Sequence, residues 1–283
     1  MYADGTQVDL AFPPCDESEA LKRLEVCLQD VRLWMARNYL KLNDSKTDFM
    51  ILGSAHRLNN INTTHIKIGD DLVKPSTTVK NIGATLDPQL KMDKQINMVC
   101  KSAWYHLYQL GKIKKYLSDS QLRSVIQAFV ISKLDQNNSL LAGSPKYLIA
   151  KLQSVQNAAA KFVCGIGRYD RVEPPLKTLH WLPVEQRIRY KILLLCFKCL
   201  NGKGPDYLEE LLIPYKPPRD LRSSSANSLV EPKTTTATYG DRAFSVVAPR
   251  LWNRLPTCVK NSNSVDSFKR SLKTHLFRIA YPE

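Results

Sequence analysis

Cationic and aromatic side chains are the groups in this 283-residue chain whose types and spacing could do chemistry. Between Met92 and Leu117, Lys94, Lys101, Lys112, Lys114 and Lys115 are interleaved with Trp104, Tyr105, Tyr108 and Tyr116. Ammonium groups in such an array neutralise phosphates and hold a nucleic acid in place without reading its sequence. Trp104 and Tyr108 share a helix face at four-residue spacing, which suits a buried core as well as a surface. Two further basic groups follow: Arg187, Arg189 and Lys191 in "EQRIRYK", then Lys269, Arg270, Lys273 and Arg278 in the last helix. The net charge of +15 is unevenly placed. Residues 1–86 carry 10 Lys/Arg against 11 Asp/Glu, whereas residues 87–283 carry 31 against 15. This excess suits a polyanion, RNA or DNA, bound through counterion release; the bland alternative is a solvated basic surface that aids solubility.

Other chemistry-bearing residues read as structural. "CFKC", Cys196 to Cys199, has a metal-site spacing but sits in the apolar run "KILLLCFKCL", where cysteine packs well. Only Cys258 lies between it and the next histidine, His275. His180 in "LHW" reads as packing, and "GIG" at Gly165–Gly167 lacks the rest of any phosphate-loop fingerprint. Lys46 stands in the polar turn "NDSKTDF" and, on spacing alone, faces water. Seven cysteines at irregular spacing fit reduced thiols in an intracellular setting, cytoplasmic or nuclear. No apolar run nears the roughly 18 residues of a membrane span, so no membrane partner is expected. The N-terminal residues lack the pattern of a secretory signal.

The elements that must position these groups fall into two textures. "ADG" is a hairpin signal, followed by the alternation Thr6, Val8, Leu10 of a half-buried strand. Residues 16–43 predict an amphipathic helix with the stripe Leu21, Leu24, Leu28, Val31 and Met35, capped by Asp16 with Glu19 behind it. "KTDFMILG" reads as a strand closed by Gly53. "HIKIGDDLV" and "VKNIGATLD" read as short strands, with Gly69-Asp70-Asp71 as a turn. Residues 1–86 are thus expected to be α+β. Helical periodicity then recurs over 92–117, 119–134, 145–166 and 183–202, so residues 88–202 are expected to be all-α. Residues 214–238 are Pro-, Ser- and Thr-rich, and a final basic amphipathic helix begins near Ser264.

Taken in order, these blocks resemble one family, the reverse transcriptases of non-LTR retrotransposons, in their C-terminal part. "MYADGTQV" is similar to the palm's catalytic box, "WMARNYLKLNDSKTDFMILG" to the next palm segment, and "VKNIGATLD" to the strand pair before the thumb. "SVQNAAAKFVCGIG", "LKTLHWLPVEQRIRYKILLLCFKCLNG" and "YGDRAFSVVAPRLWNRLP" resemble the family's C-terminal extension. The resemblance implies a partial RNA-directed DNA polymerase palm at 1–87 and thumb-like helices at 88–135. It further implies a helical extension at 136–213, a linker or extended loop at 214–238, and a basic C-terminal segment at 239–283. "LDQNNSLL" departs from the family's Leu-Asp-Tyr-Cys-Asn at Gln136 and Asn137.

By the same resemblance Asp4 is a vestige of the metal site, and Lys46 of the loop whose lysine assists pyrophosphate release. The family holds two Mg²⁺ ions, one activating the 3′-hydroxyl and one steadying the leaving oxygens. Its second box aspartate is replaced here by Gly5, and its upstream palm aspartate and fingers have no counterpart. The expectation is therefore a fragment that is inactive alone, binds no Mg²⁺ stably, and keeps nonspecific affinity for RNA or DNA, such as a template–primer duplex. Two rivals stand beside it: a polymerase completed by another chain supplying the missing parts, and an inert relic or protein-interaction module.

Overall fold

The computed structural model describes residues 6–43, 46–69, 71–167, 169–215, 227–236 and 239–282. Over these residues the chain is α+β, mainly helical with two small antiparallel sheets, and it divides into two compact units at Lys91 and Met92.

In the first unit, helix α1 spans Glu17–Arg37 and lies against strand β1, Ile66–Ile68, whose Ile66 and Ile68 are buried. The predicted stripe from Leu21 to Met35 is half-buried, with Ala20 fully so. α1 ends six residues before the predicted Asn43, because Tyr39 turns into the left-handed region at φ 58. The Asp16 side chain does not cap the helix as expected; a turn of 3-10 helix, Pro14–Asp16, leads in instead. Glu17 takes up the acidic first-turn role, its carboxylate accepting from the Asn62 backbone N–H and the Thr63 hydroxyl. These bonds, the one from Thr63 foremost, hold the Glu17 carboxyl below its ordinary pKa. Glu25 accepts from the Lys67 backbone N–H at 2.9 Å, pinning α1 to β1. A short helix α2, Ala55–Asn59, is capped by Ser54, which accepts from the Arg57 N–H.

β1 pairs with β2, Asp71–Val73, and β3, Val79–Asn81, pairs with β4, Ala84–Leu86. The second hairpin turns through Ile82 and Gly83, both at positive φ, as a tight hairpin turn requires. Two other expected strands are absent. Residues 6–13 form no strand among the described residues, since nothing there pairs with them; Gln7 only accepts from the Asn81 side chain. "KTDFMILG" makes a single bridge, Phe49 to Pro75. Proline has no backbone N–H, so the ladder cannot extend from it.

The second unit is helical. Helix α3, Asp93–Ile113, packs its buried side, Ile96, Ala103, Leu107 and Leu110, against α6, Lys146–Cys164. α4, Asp119–Ile126, starts at a capping box: Ser118 accepts from the Gln121 N–H, and the Gln121 side chain accepts from the Ser118 N–H. It runs through a π-helical turn, Gln127–Ile131, into α5, Ser132–Asp135. α6 stops at Gly165 with φ 67, a left-handed close that glycine adopts without strain. After α7, Glu173–Thr178, comes α8, Val184–Leu200, which packs against α12, Val265–Ala280, and α10, Phe244–Asn253. The Phe197 and Phe268 rings stack at 4.1 Å beside buried Trp252. α9, Asp206–Glu209, and α11, Thr257–Lys260, complete the α-helices described, with short 3-10 turns at Lys114–Tyr116 and Asn138–Leu141.

Two glutamines of α6 set the "HWLPV" loop: buried Gln156 donates from Nε2 to the Leu182 carbonyl, and half-buried Gln153 accepts at Oε1 from the Val184 N–H, each at 2.8 Å. The stretch expected as a linker or extended loop makes defined hydrogen bonds where it is described. Tyr215 N–H donates to the Ser228 carbonyl, and buried Leu229 is clamped by the Asn253 side chain.

Candidate nucleic-acid interface

α3 decides the alternative left open for its aromatics. Trp104, Tyr105 and Tyr108 are 46%, 59% and 67% exposed, so they belong to the surface. At 100° per residue, Lys94, Met98, Lys101, Tyr105, Tyr108 and Lys112 fall within an arc of about 80°. All six are exposed. Asp93, the helix's lone acidic residue, is outside this arc and accepts from the Tyr147 hydroxyl at 3.2 Å. Lys112 Nζ stands 4.6 Å over the Tyr108 ring, a cation–π contact. The ring row continues through half-buried His106 to exposed Phe129, the His106 centroid lying 5.6 Å from each of Tyr105 and Phe129. Phe129, on the π-helical turn, was not singled out by sequence; a π-helical insertion has no periodicity that would announce it.

The other cations divide by partner. Lys114 Nζ donates to the Phe162 carbonyl at 2.8 Å and lies over the Phe162 ring, so it caps the last turn of α6 and does not face outward. Lys115 is exposed, its ammonium 4.8 Å over the Tyr116 ring. Arg187 is 15% exposed and donates from Nε and Nη2 to Asp135, at 2.8 and 2.6 Å. Arg189 pairs with Glu185 one helical turn earlier. Lys191 is exposed on the same helix. Lys269 bonds Asp266 at 3.0 Å and holds that carboxyl below its ordinary pKa, with smaller help from Arg270 and Lys203. Arg270 and Lys273 are exposed on α12. Carboxylate pairing thus already answers the charge of Arg187, Arg189 and Lys269, and Lys114 is spent on a helix end.

Asp4 lies outside the described residues, as do Tyr2 and Gly5. Lys46 is exposed, its backbone N–H bonded to the Asn43 carbonyl. Among the described residues, no three His, Cys, Asp or Glu side chains gather in a way that could hold a metal. Cys196 and Cys199 are buried free thiols, and burial pushes the Cys196 thiol far up and raises that of Cys199. Both side chains pack within α8, as the apolar run around them leads one to expect. Among the described residues no helix is long and apolar enough to cross a membrane. Compared with family models, with curated proteins and with solved structures, the chain finds no match.

Proposed function

We propose that this chain is a polypeptide of the non-LTR reverse-transcriptase kind whose working property is nonspecific binding of RNA or DNA, not nucleotide transfer. The observation that carries the binding is the outward arc of α3, where Lys94, Lys101 and Lys112 are exposed in line with tyrosines and with no carboxylate among them. The charge distribution supports it, since the whole excess of positive charge lies downstream of Leu86. The order of sequence blocks supports the family, with residues 1–87 as part of a palm and 88–135 as a thumb, and an intracellular setting goes with such a ligand. Asp4 offers one carboxylate where two Mg²⁺ ions need several oxygen ligands, and Gly5 offers none from its side chain. This polypeptide by itself is therefore read as a non-catalyst.

A second reading, a polymerase completed by another chain, is favoured by α1, which leaves Val26, Leu33 and Trp34 exposed. Fluorescence anisotropy on labelled RNA and DNA tests the main reading. Affinity should drop steeply from about 50 to 200 mM salt, because each phosphate contact releases counterions. Binding that ignores salt, or no binding to either, overturns it.

A further inference from the structure

We infer that the α3 face takes single-stranded nucleic acid, with bases stacked on Tyr105 and Tyr108 while Lys94, Lys101 and Lys112 hold the phosphates; this rests on the binding reading above. A duplex offers phosphates and groove edges on its outside, and its base faces are stacked against one another. Lysines alone would serve it, and exposed phenol rings would gain little. A single strand carries open base faces, and aromatic planes beside a cationic track are the usual means of holding them. The α3 arc supplies both in register. Lys112 lies over one face of the Tyr108 ring, so a phosphate bound by Lys112 has its own base beside that ring. From Tyr105 the rings of His106 and exposed Phe129 continue the row at centroid steps of 5.6 Å. Lys94 and Lys112 are about 27 Å apart along the axis, at 1.5 Å per residue. That length spans roughly four nucleotides of extended strand, the small end of single-strand sites.

The test compares oligo(U), oligo(dT) and an oligo(dA)·oligo(dT) duplex of about 20 residues each, by anisotropy at low salt with the full chain. The single strands should bind roughly ten-fold or more tightly than the duplex. Tyr105→Leu with Tyr108→Leu should lose most of that preference and leave duplex affinity within about two-fold, whereas Tyr105→Phe with Tyr108→Phe keeps it. Equal melting of the variants by circular dichroism establishes folding, as both side chains are exposed. A preference for oligo(U) assigns RNA, and equal affinity for both strands assigns either sugar; each supports the inference. Duplex bound as tightly as single strand, or leucine variants that bind single strands like wild type, overturns the inference and leaves the general binding reading standing. Absence of binding to all three probes overturns both.

Discussion

The guanidinium of Arg187 in α8 grips the carboxylate of Asp135 at the end of α5 through two hydrogen bonds, at 2.8 and 2.6 Å. Asn138 Nδ2 approaches the same carboxylate at 3.5 Å. The pair ties the α4–α5 rod to α8, which packs against α12 and α10. Asp135→Ala leaves a mostly buried guanidinium without its partner. Because Asp135 is partly exposed, the expected cost is about 1–2 kcal/mol, below that of a fully buried pair. Urea denaturation of both single mutants and the double mutant should return a coupling on the order of 1 kcal/mol. Nucleic-acid affinity of Arg187→Gln should stay near wild type, although sequence alone placed this residue in a phosphate-binding group.

Lys112 and Lys114 stand two residues apart and should behave differently. Lys101→Gln or Lys112→Gln is expected to lower the slope of log affinity against log salt by about 1 each. Lys114→Gln should leave that slope alone and instead cost about 0.5–1.5 kcal/mol in stability, since the α6 carbonyl of Phe162 loses its donor. Salt titrations and thermal melts on the same three proteins separate the two effects.

On the proposed reading, Gly5→Asp adds one carboxylate beside Asp4, and two Mg²⁺ ions need more oxygen ligands than that pair offers. Primer-extension assays with Mg²⁺ are therefore expected to show no incorporation by wild type or variant. Magnesium-dependent synthesis by either would break the non-catalytic reading.

Tyr281 closes α12, its hydroxyl donating to the Trp181 carbonyl at 2.9 Å. Burial, with a smaller contribution from the Glu173 charge, pushes its pKa up to about 12. A phenol whose folded pKa is raised stabilises the fold fully below its unfolded value near 10. That contribution is lost as pH rises towards 12. Tyr147 and Tyr190 are raised as well, so phenolate absorbance should lose one late-titrating tyrosine, and not the whole late phase, in Tyr281→Phe. The variant should cost about 1 kcal/mol at neutral pH and show a shallower loss of stability above pH 10.

Much of the helical framework was legible because apolar residues recur at helical spacing and Asn201-Gly202 reads as a stop, while the close of α6 at Gly165 was not read from the sequence. "VKNIGATLD" read as a short strand and forms the β3–β4 hairpin, with Ile82 in the left-handed turn where a β-branched residue gives no turn signal. The first hairpin was legible from its Gly69-Asp70-Asp71 turn. The strand at "KTDFMILG" was not, because what cancels it is a proline 26 residues later in sequence, at Phe49's bridge partner. The alternation at 6–10 likewise predicted a strand, but alternation does not name a partner. At the interface, charge and aromatic content were plain, yet only packing distinguishes Lys114 against Phe162 from Lys112 over Tyr108. Asp135 as the partner of Arg187 lies 52 residues away, beyond any local pattern.

The π-helical turn at Gln127–Ile131 has one more consequence. It inserts a residue into the rod, and the Ser132 hydroxyl bonds the Ala128 carbonyl one turn back. Excising Phe129 would let the rod rewind as uninterrupted α-helix, and everything beyond the cut would swing about 100° around its axis. Asp135 would then point away from Arg187, so the widened turn works as the phase adjuster that keeps the far clasp aligned while setting an aromatic ring out towards the solvent.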